Sequence, residues 1–292
     1  MTSFDETCER IQVMRVQEDT VYCKFSLHGI NESNAPLLGK DSYEKIVSWY
    51  LRVVDFFEFH REIAEIAATI LNCFLATTHG FSARTDPSEY QLASLGAFYI
   101  AVKIHAKQAM HPRSFTQLCG DRYTIHEIEQ TEASMLSALN WRVNPPTTGA
   151  FLREMRDLLP SDMNDDTREA VFELAQMQCE LLLPLSYFAV TKSSTIALAS
   201  IINAIESLNL CEGDHLIEIL SSFLGIDRNC SQVIEAQREL FKALAIGARG
   251  SLKTSRLSSL TAPCRSSPKL SYRPLTGQPS PATPVSTMAM VE

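Results

Sequence analysis

Lys103 and Glu132 are the two side chains whose setting in this sequence could do chemistry. Lys103 ends an apolar stretch that begins at Gln91. Glu132 lies in a second stretch, opened by Thr124 and closed by Trp141 and the pair Pro145-Pro146. A lysine offers three donors and a carboxylate only acceptors, so together they can hold a partner's peptide groups whatever its side chains are. With Ile100, Leu136 and Trp141 around them, they read as a dock for another protein's helix. The competing reading is an ordinary surface ion pair worth ~0–1 kcal/mol.

The elements that must position this pair are helices. Ile46, Trp49, Tyr50, Val53, Val54 and Phe57 recur at helical spacing, as do Ile63, Ile66, Ala67, Ile70, Leu71, Phe74 and Leu75. A breaker stretch follows, His79 to Pro87. Residues 88–106 are apolar nearly all round, which marks a helix enclosed by others. After a short helix near 113–120, Thr124 and Glu127 supply a capping box for the helix that carries Glu132. The pattern restarts beyond Pro146, with helices near 151–159 and 165–183, a second enclosed helix at Ser194 to Leu208, and helices near 214–224 and 231–245. No segment alternates with period two, so the expected fold is all-α: two helical units in tandem, each built round its third helix.

A short first helix is expected after Ser3, whose spacing to Glu6 fits a capping box, with a loop over 24–41. Four parts are therefore expected: 1–41, a helix and loop; 42–144, the first bundle; 145–247, the second; 248–292, a disordered tail. In the tail, 20 of the 44 residues from Arg249 onward are Ser, Thr or Pro, too few large apolar groups to offset ordering entropy.

Composition excludes several classes. The 292 residues are 45% hydrophobic and 21% charged, enough for a sizeable core. Net charge is −8, but residues 246–292 hold six basic residues against one acid, which leaves −13 on the rest and disfavours direct nucleic-acid binding. Eight cysteines at 8, 23, 73, 119, 179, 211, 230 and 264 form no CxxC pair, and seven histidines are scattered, so neither a metal site nor a cofactor is expected. No Walker loop, GxGxxG, HExxH or GxSxG motif occurs, and no enzyme activity is expected. The polar, acidic stretch Met1 to Glu9 is unlike a secretory signal and no apolar run approaches ~18 residues. A protein of the nucleus or cytoplasm, away from membranes, is the expectation.

The string YTIHEIEQTEASMLSALNWRVNPPT, together with the spacing from Trp49 to Phe74-Leu75, resembles the cyclin family, the regulatory subunits of cyclin-dependent kinases. The resemblance spans about 42–245 and is strongest over 90–152. It implies two five-helix bundles, and a cyclin-dependent kinase as partner. Lys103 and Glu132 match the lysine and glutamate that hydrogen-bond the backbone of the kinase's αC region, and Leu92 matches the leucine heading the third helix. Ile100, Leu136, Trp141 and Val143 would line the apolar slot for the kinase helix.

The resemblance also implies a patch where substrates or inhibitors dock. Of it, this chain keeps Trp49 and Ile46, while Ser42-Tyr43-Glu44-Lys45-Ile46 and Asn72-Cys73 replace the family's MRAIL motif and its Asp-Arg. The short N-terminal region and the tail look like D-type cyclins, although the LxCxE motif of that group is missing. Ser267, Ser280 and Thr283, each before proline, fit sites for proline-directed kinases. A cyclin-fold adaptor that activates no kinase remains the alternative.

Overall fold

The computed structural model describes residues 4–22, 40–108, 110–160, 162–210 and 212–258; for Lys40 and 248–258 it gives the course of the backbone alone. Among the described residues all regular structure is helical. The order is α1 (Phe4–Thr20), α2 (Lys40–Phe56), α3 (Glu62–Ala76), α4 (Phe81–Thr85), α5 (Pro87–His105), α6 (Pro112–Leu118) and α7 (Ile125–Ala138). There follow α8 (Thr148–Asp157), α9 (Asp165–Leu182), α10 (Ser186–Val190), α11 (Ser193–Ser207), α12 (Gly213–Leu224) and α13 (Ser231–Ser258).

The two enclosed helices of the sequence are α5 and α11. Residues 93–102 of α5 and 193–205 of α11 are buried without a break. Helices α3, α4 and α7 pack on α5, and α8, α9, α12 and α13 on α11, so each hub is surrounded on every side. The expected breaker stretch holds α4, and α10 is likewise an added five-residue helix; each directly precedes its hub. Their shortness explains why no periodicity announced them.

Around α5 the core is aromatic. Tyr50 of α2 stacks on Phe98 at 5.1 Å, Trp49 lies 5.6 Å from the same ring, and the Tyr50 hydroxyl donates to the Ser94 carbonyl at 2.7 Å. Ile46 and Trp49, the residues expected in a docking patch, are each only 4% exposed, so most of both side chains is spent on this core.

Tyr43 stands where the resemblance implies an arginine. It is buried, and its hydroxyl donates to the Leu183 carbonyl at 3.2 Å, a neutral tie to the second unit in place of an ion pair. Replacing both members of a buried pair by groups that satisfy themselves can be neutral in stability.

Three more ties cross between units. Glu65 of α3 is buried and accepts from the Thr148 backbone N–H at 2.6 Å and the Thr148 hydroxyl at 2.8 Å, capping α8 with a charge that suits the positive end of a helix. Glu62, one turn earlier, accepts from the Thr147 hydroxyl and from Arg153 at 3.0 and 3.1 Å. Arg61 bridges Asp55 and Glu180 at 2.8 Å each.

The first helix departs most from expectation, since it runs 17 residues and packs on α8 and α12 of the second unit. Its buried Glu18 accepts from the Ser194 N–H at 3.1 Å and from the Ser194 hydroxyl. Residue Lys192, at the N-cap of α11, gives no side-chain cap, so Glu18 supplies it from a distant helix. Lys192 instead pairs with Asp19 at 2.6 Å, and Arg10 with Glu154 at 2.8 Å. Ser3, the expected cap residue of α1, lies outside the described residues.

At the other end α13 continues to Ser258, thirteen residues beyond the expected 245. The average over 249–292 hid this, because every proline of that segment falls at 263 or later, and nothing earlier removes a helix N–H. Ser267, Ser280 and Thr283 lie outside the described residues.

Two outcomes follow from these ties. Glu18→Ala leaves the Ser194 N–H unsatisfied and should lower unfolding free energy by ~1–3 kcal/mol in urea titrations; an unchanged midpoint contradicts the remote cap. For Glu62, desolvation pushes the carboxyl up, but the bonds from Arg153 and Thr147 outweigh it and hold it below its ordinary value. Such a group contributes fully above its unfolded value and loses that contribution as pH falls through the folded one. Stability should therefore drop on the acid side of the ordinary carboxylate range, and drop less in Glu62→Gln; equal acid limbs contradict the tie.

Candidate functional site

The site is built where α5 meets α7. Gly96 makes the meeting close, for a β-carbon there would stand 2.9 Å from Thr131 Cγ2 and 3.1 Å from Met135 Sδ. The start of α7 is fixed by the expected capping box: Thr124 Oγ1 accepts from Glu127 N–H at 3.3 Å, and Glu127 Oε2 accepts from Thr124 N–H at 2.7 Å. The same end is tied to α5 by the Tyr123 hydroxyl, which donates to Gln91 Oε1 at 2.7 Å.

Two turns beyond Gly96, the Lys103 ammonium reaches both oxygens of Glu132, at 2.8 and 3.0 Å. The lysine side chain is 50% exposed and the glutamate 13%. The bond to Glu132 holds the Lys103 pKa above its ordinary value despite some desolvation, so the ammonium keeps its charge throughout the neutral range. An ion pair this exposed adds little to folding. What it does is display, side by side, a cation with a donor to spare and a carboxylate whose oxygens can accept again.

The apolar flank differs from the expectation in part. Leu136 lies one turn after Glu132, half-buried, on the same face of α7. Trp141 follows the helix end and is 74% exposed. That end is a Schellman arrangement in which Asn140 N–H donates to the Ser137 carbonyl at 3.1 Å and Trp141 N–H to that of Leu136 at 2.9 Å. Asn140 has φ 50° and Trp141 φ 61°, and a bulky residue in the left-handed region costs ~1–3 kcal/mol. The chain thus holds a strained backbone and leaves a whole indole in water.

Ile100 and Val143, at 1% and 8% exposure, are packed into this chain's own core and present little area at the surface. Leu92 is half-buried and sits eleven residues from Lys103 on α5, ~16 Å along the axis, so it is not part of the same cluster.

Sequence reasoning missed two features. Ile104, next to Lys103, is 50% exposed and extends the apolar flank. Beyond it a groove of about 900 Å³ opens among α1, the α2–α3 turn, the end of α5 and the linker, lined by Met14, Phe57, Phe59, His105, Pro145 and Pro146. In that region His105 Nε2 is buried without a hydrogen-bond partner. Of its lining, Phe57 and the pair Pro145-Pro146 were legible beforehand; that loops and helix ends converge there is a tertiary fact. Among the described residues no group of His, Cys, Asp and Glu could hold a metal ion, and no helix is long and apolar enough to cross a membrane.

Residues 9–144 match the family described as cyclin, N-terminal domain. G2/mitotic-specific cyclin-B3 of Gallus gallus is 26% identical over 219 residues, 75% of this chain and 50% of that protein. Cyclin-G1 of Sus scrofa is 25% identical over 183 residues, 61% of this chain and 60% of that protein. The chain thus spans about half to three fifths of these relatives' own length. A viral cyclin from herpesvirus saimiri, solved by X-ray crystallography, superposes with a TM-score of 0.63 at 20% identity, over 81% of this chain and 97% of that one, which shows the shared fold. Two helical bundles in tandem show the shared fold, and the match over residues 9–144 assigns the first of them: it is a cyclin N-terminal domain.

Proposed function

We propose that this chain is the regulatory subunit of a cyclin-dependent Ser/Thr kinase, and that it activates the kinase by holding the αC helix in its active position on the face where α5 meets α7. The observation that carries this reading is the pairing of a half-exposed Lys103–Glu132 couple with a strained, exposed Trp141. The pair adds little to the fold, and the indole lies outside the core. The match of residues 9–144 to the cyclin N-terminal domain supports the partner class.

In this mechanism the protein does no chemistry. Lys103 donates to peptide carbonyls of the kinase helix and Glu132 accepts from its N–H groups, so recognition is of backbone rather than of side chains. Trp141, Ile104 and Leu136 bury apolar area at ~1.5–3 kcal/mol for each fully covered side chain. Moving a kinase from 1:99 to 99:1 in favour of the active arrangement takes ~5.5 kcal/mol of preferential binding. Those anchors, with a desolvated charged pair, are of that size. The kinase's own Lys–Glu pair, which phosphoryl transfer requires, is then complete.

The test mixes purified protein with a panel of purified cyclin-dependent kinases and measures affinity and peptide phosphorylation. One kinase should be bound and activated. Lys103→Ala and Glu132→Ala should each lose ~2–5 kcal/mol of binding, while thermal stability moves by no more than a surface pair is worth, ~0–1 kcal/mol. Variants that bind and activate like the parent would falsify the dock. A chain that binds no kinase but retards duplex DNA in a salt-dependent way supports the adaptor reading instead.

A further inference from the structure

We propose that Tyr99 is the positioning residue of this dock: its ring, braced from below by Phe115, fixes where the Lys103 ammonium stands. The inference rests on the reading of Lys103 as a residue that meets the partner.

Tyr99 and Lys103 are four residues apart on α5, so the lysine stem runs along the same face as the ring. The Lys103 Nζ lies 4.9 Å from the Tyr99 ring centroid, within the ~6 Å over which a cation is drawn to an aromatic face. The ammonium is thus held on two sides, by the Glu132 carboxylate and by the ring. Glu132 alone would leave a flexible four-carbon stem free to pivot about one carboxylate.

The ring itself cannot give way. Tyr99 is buried and meets Phe115 edge-on, with centroids 4.7 Å apart and planes at 82°. Phe115 is buried too and lies 6.0 Å from Phe98, which stacks on Tyr50. A column of four rings therefore runs from the centre of the first bundle to the one cation of the dock. Because the rotamer is set before the partner arrives, less side-chain entropy is lost on binding. The ring face rather than the hydroxyl meets the ammonium, so phenylalanine should replace tyrosine and leucine should not.

The experiment has two arms. In the first, NMR of the isotope-labelled full chain without partner reads the Lys103 ε-methylene protons, assigned by their loss in Lys103→Met. They should lie upfield of the other lysines through the ring current, stay there in Tyr99→Phe, and return to the ordinary range in Tyr99→Leu. Unshifted protons in the parent overturn the proposal.

In the second arm, affinity for the kinase bound by the parent should fall about three- to tenfold in Tyr99→Leu, the size of a partly exposed cation–π contact. Tyr99→Phe should stay close to the parent. In a Lys103→Met background, Tyr99→Leu should cost no further affinity although it still lowers the melting temperature. An equal loss in both backgrounds means Tyr99 only fills the core, and overturns the proposal. If Lys103→Met itself binds as the parent does, the dock reading fails, and the first arm still decides whether the ring places the lysine.

Discussion

The approach of α5 to α7 at Gly96 is the constraint on which the rest of the site depends. A helix pair separated by one more methyl group would carry Lys103 and Glu132 on the same two faces, yet the 2.8 Å contact would open. Enclosure of α5 by its neighbours fixes its axis, and the capping box with Tyr123 fixes where α7 begins. Close packing then leaves little latitude for the facing side chains. The pair is cheap to form and contributes little to folding, so its precision comes from the bundle beneath it rather than from its own attraction.

A second design principle is the use of buried carboxylates as remote caps. Glu65 closes the first turn of α8 and Glu18 that of α11, each from a helix far away in sequence. A helix start leaves N–H groups without partners, and a buried start without a local cap would be costly. The two glutamates turn that cost into a connection, because satisfying the N–H groups requires the units to stand in one relation to each other and to α1. Tyr43, with its hydroxyl on the Leu183 carbonyl, does the same without charge.

Much of this was legible in the sequence, and the parts that were not share a cause. Long helices with a strong apolar pattern, α3, α5 and α11, could be read from spacing, and so could the cap at Thr124. That Lys103 and Glu132 stand on neighbouring helices was legible, and their direct ion pair was the competing reading of the same spacing. Depth was not: Ile100, Val143, Ile46 and Trp49 are apolar residues at plausible places, and only packing decides that they face inward while Ile104 and Trp141 face out. The length of α1 escaped because the residues it buries, Thr7, Ile11 and Glu18, do not form an apolar stripe. The end of α13 escaped because composition was averaged over a segment whose prolines all lie in its later part.

The central claim, that the face around Lys103 and Glu132 receives a kinase helix, is tested most directly by the light the site itself emits. Trp49 is buried and Trp141 is exposed, so in a Trp49→Phe variant the indole fluorescence comes from the dock alone. Titrated with an activated partner kinase, in which tryptophans are replaced by a non-fluorescing analogue, Trp141 emission should shift to the blue and resist an aqueous quencher in proportion to complex formed. Emission that stays at the wavelength and quenching of free indole, while the complex demonstrably forms, contradicts the account.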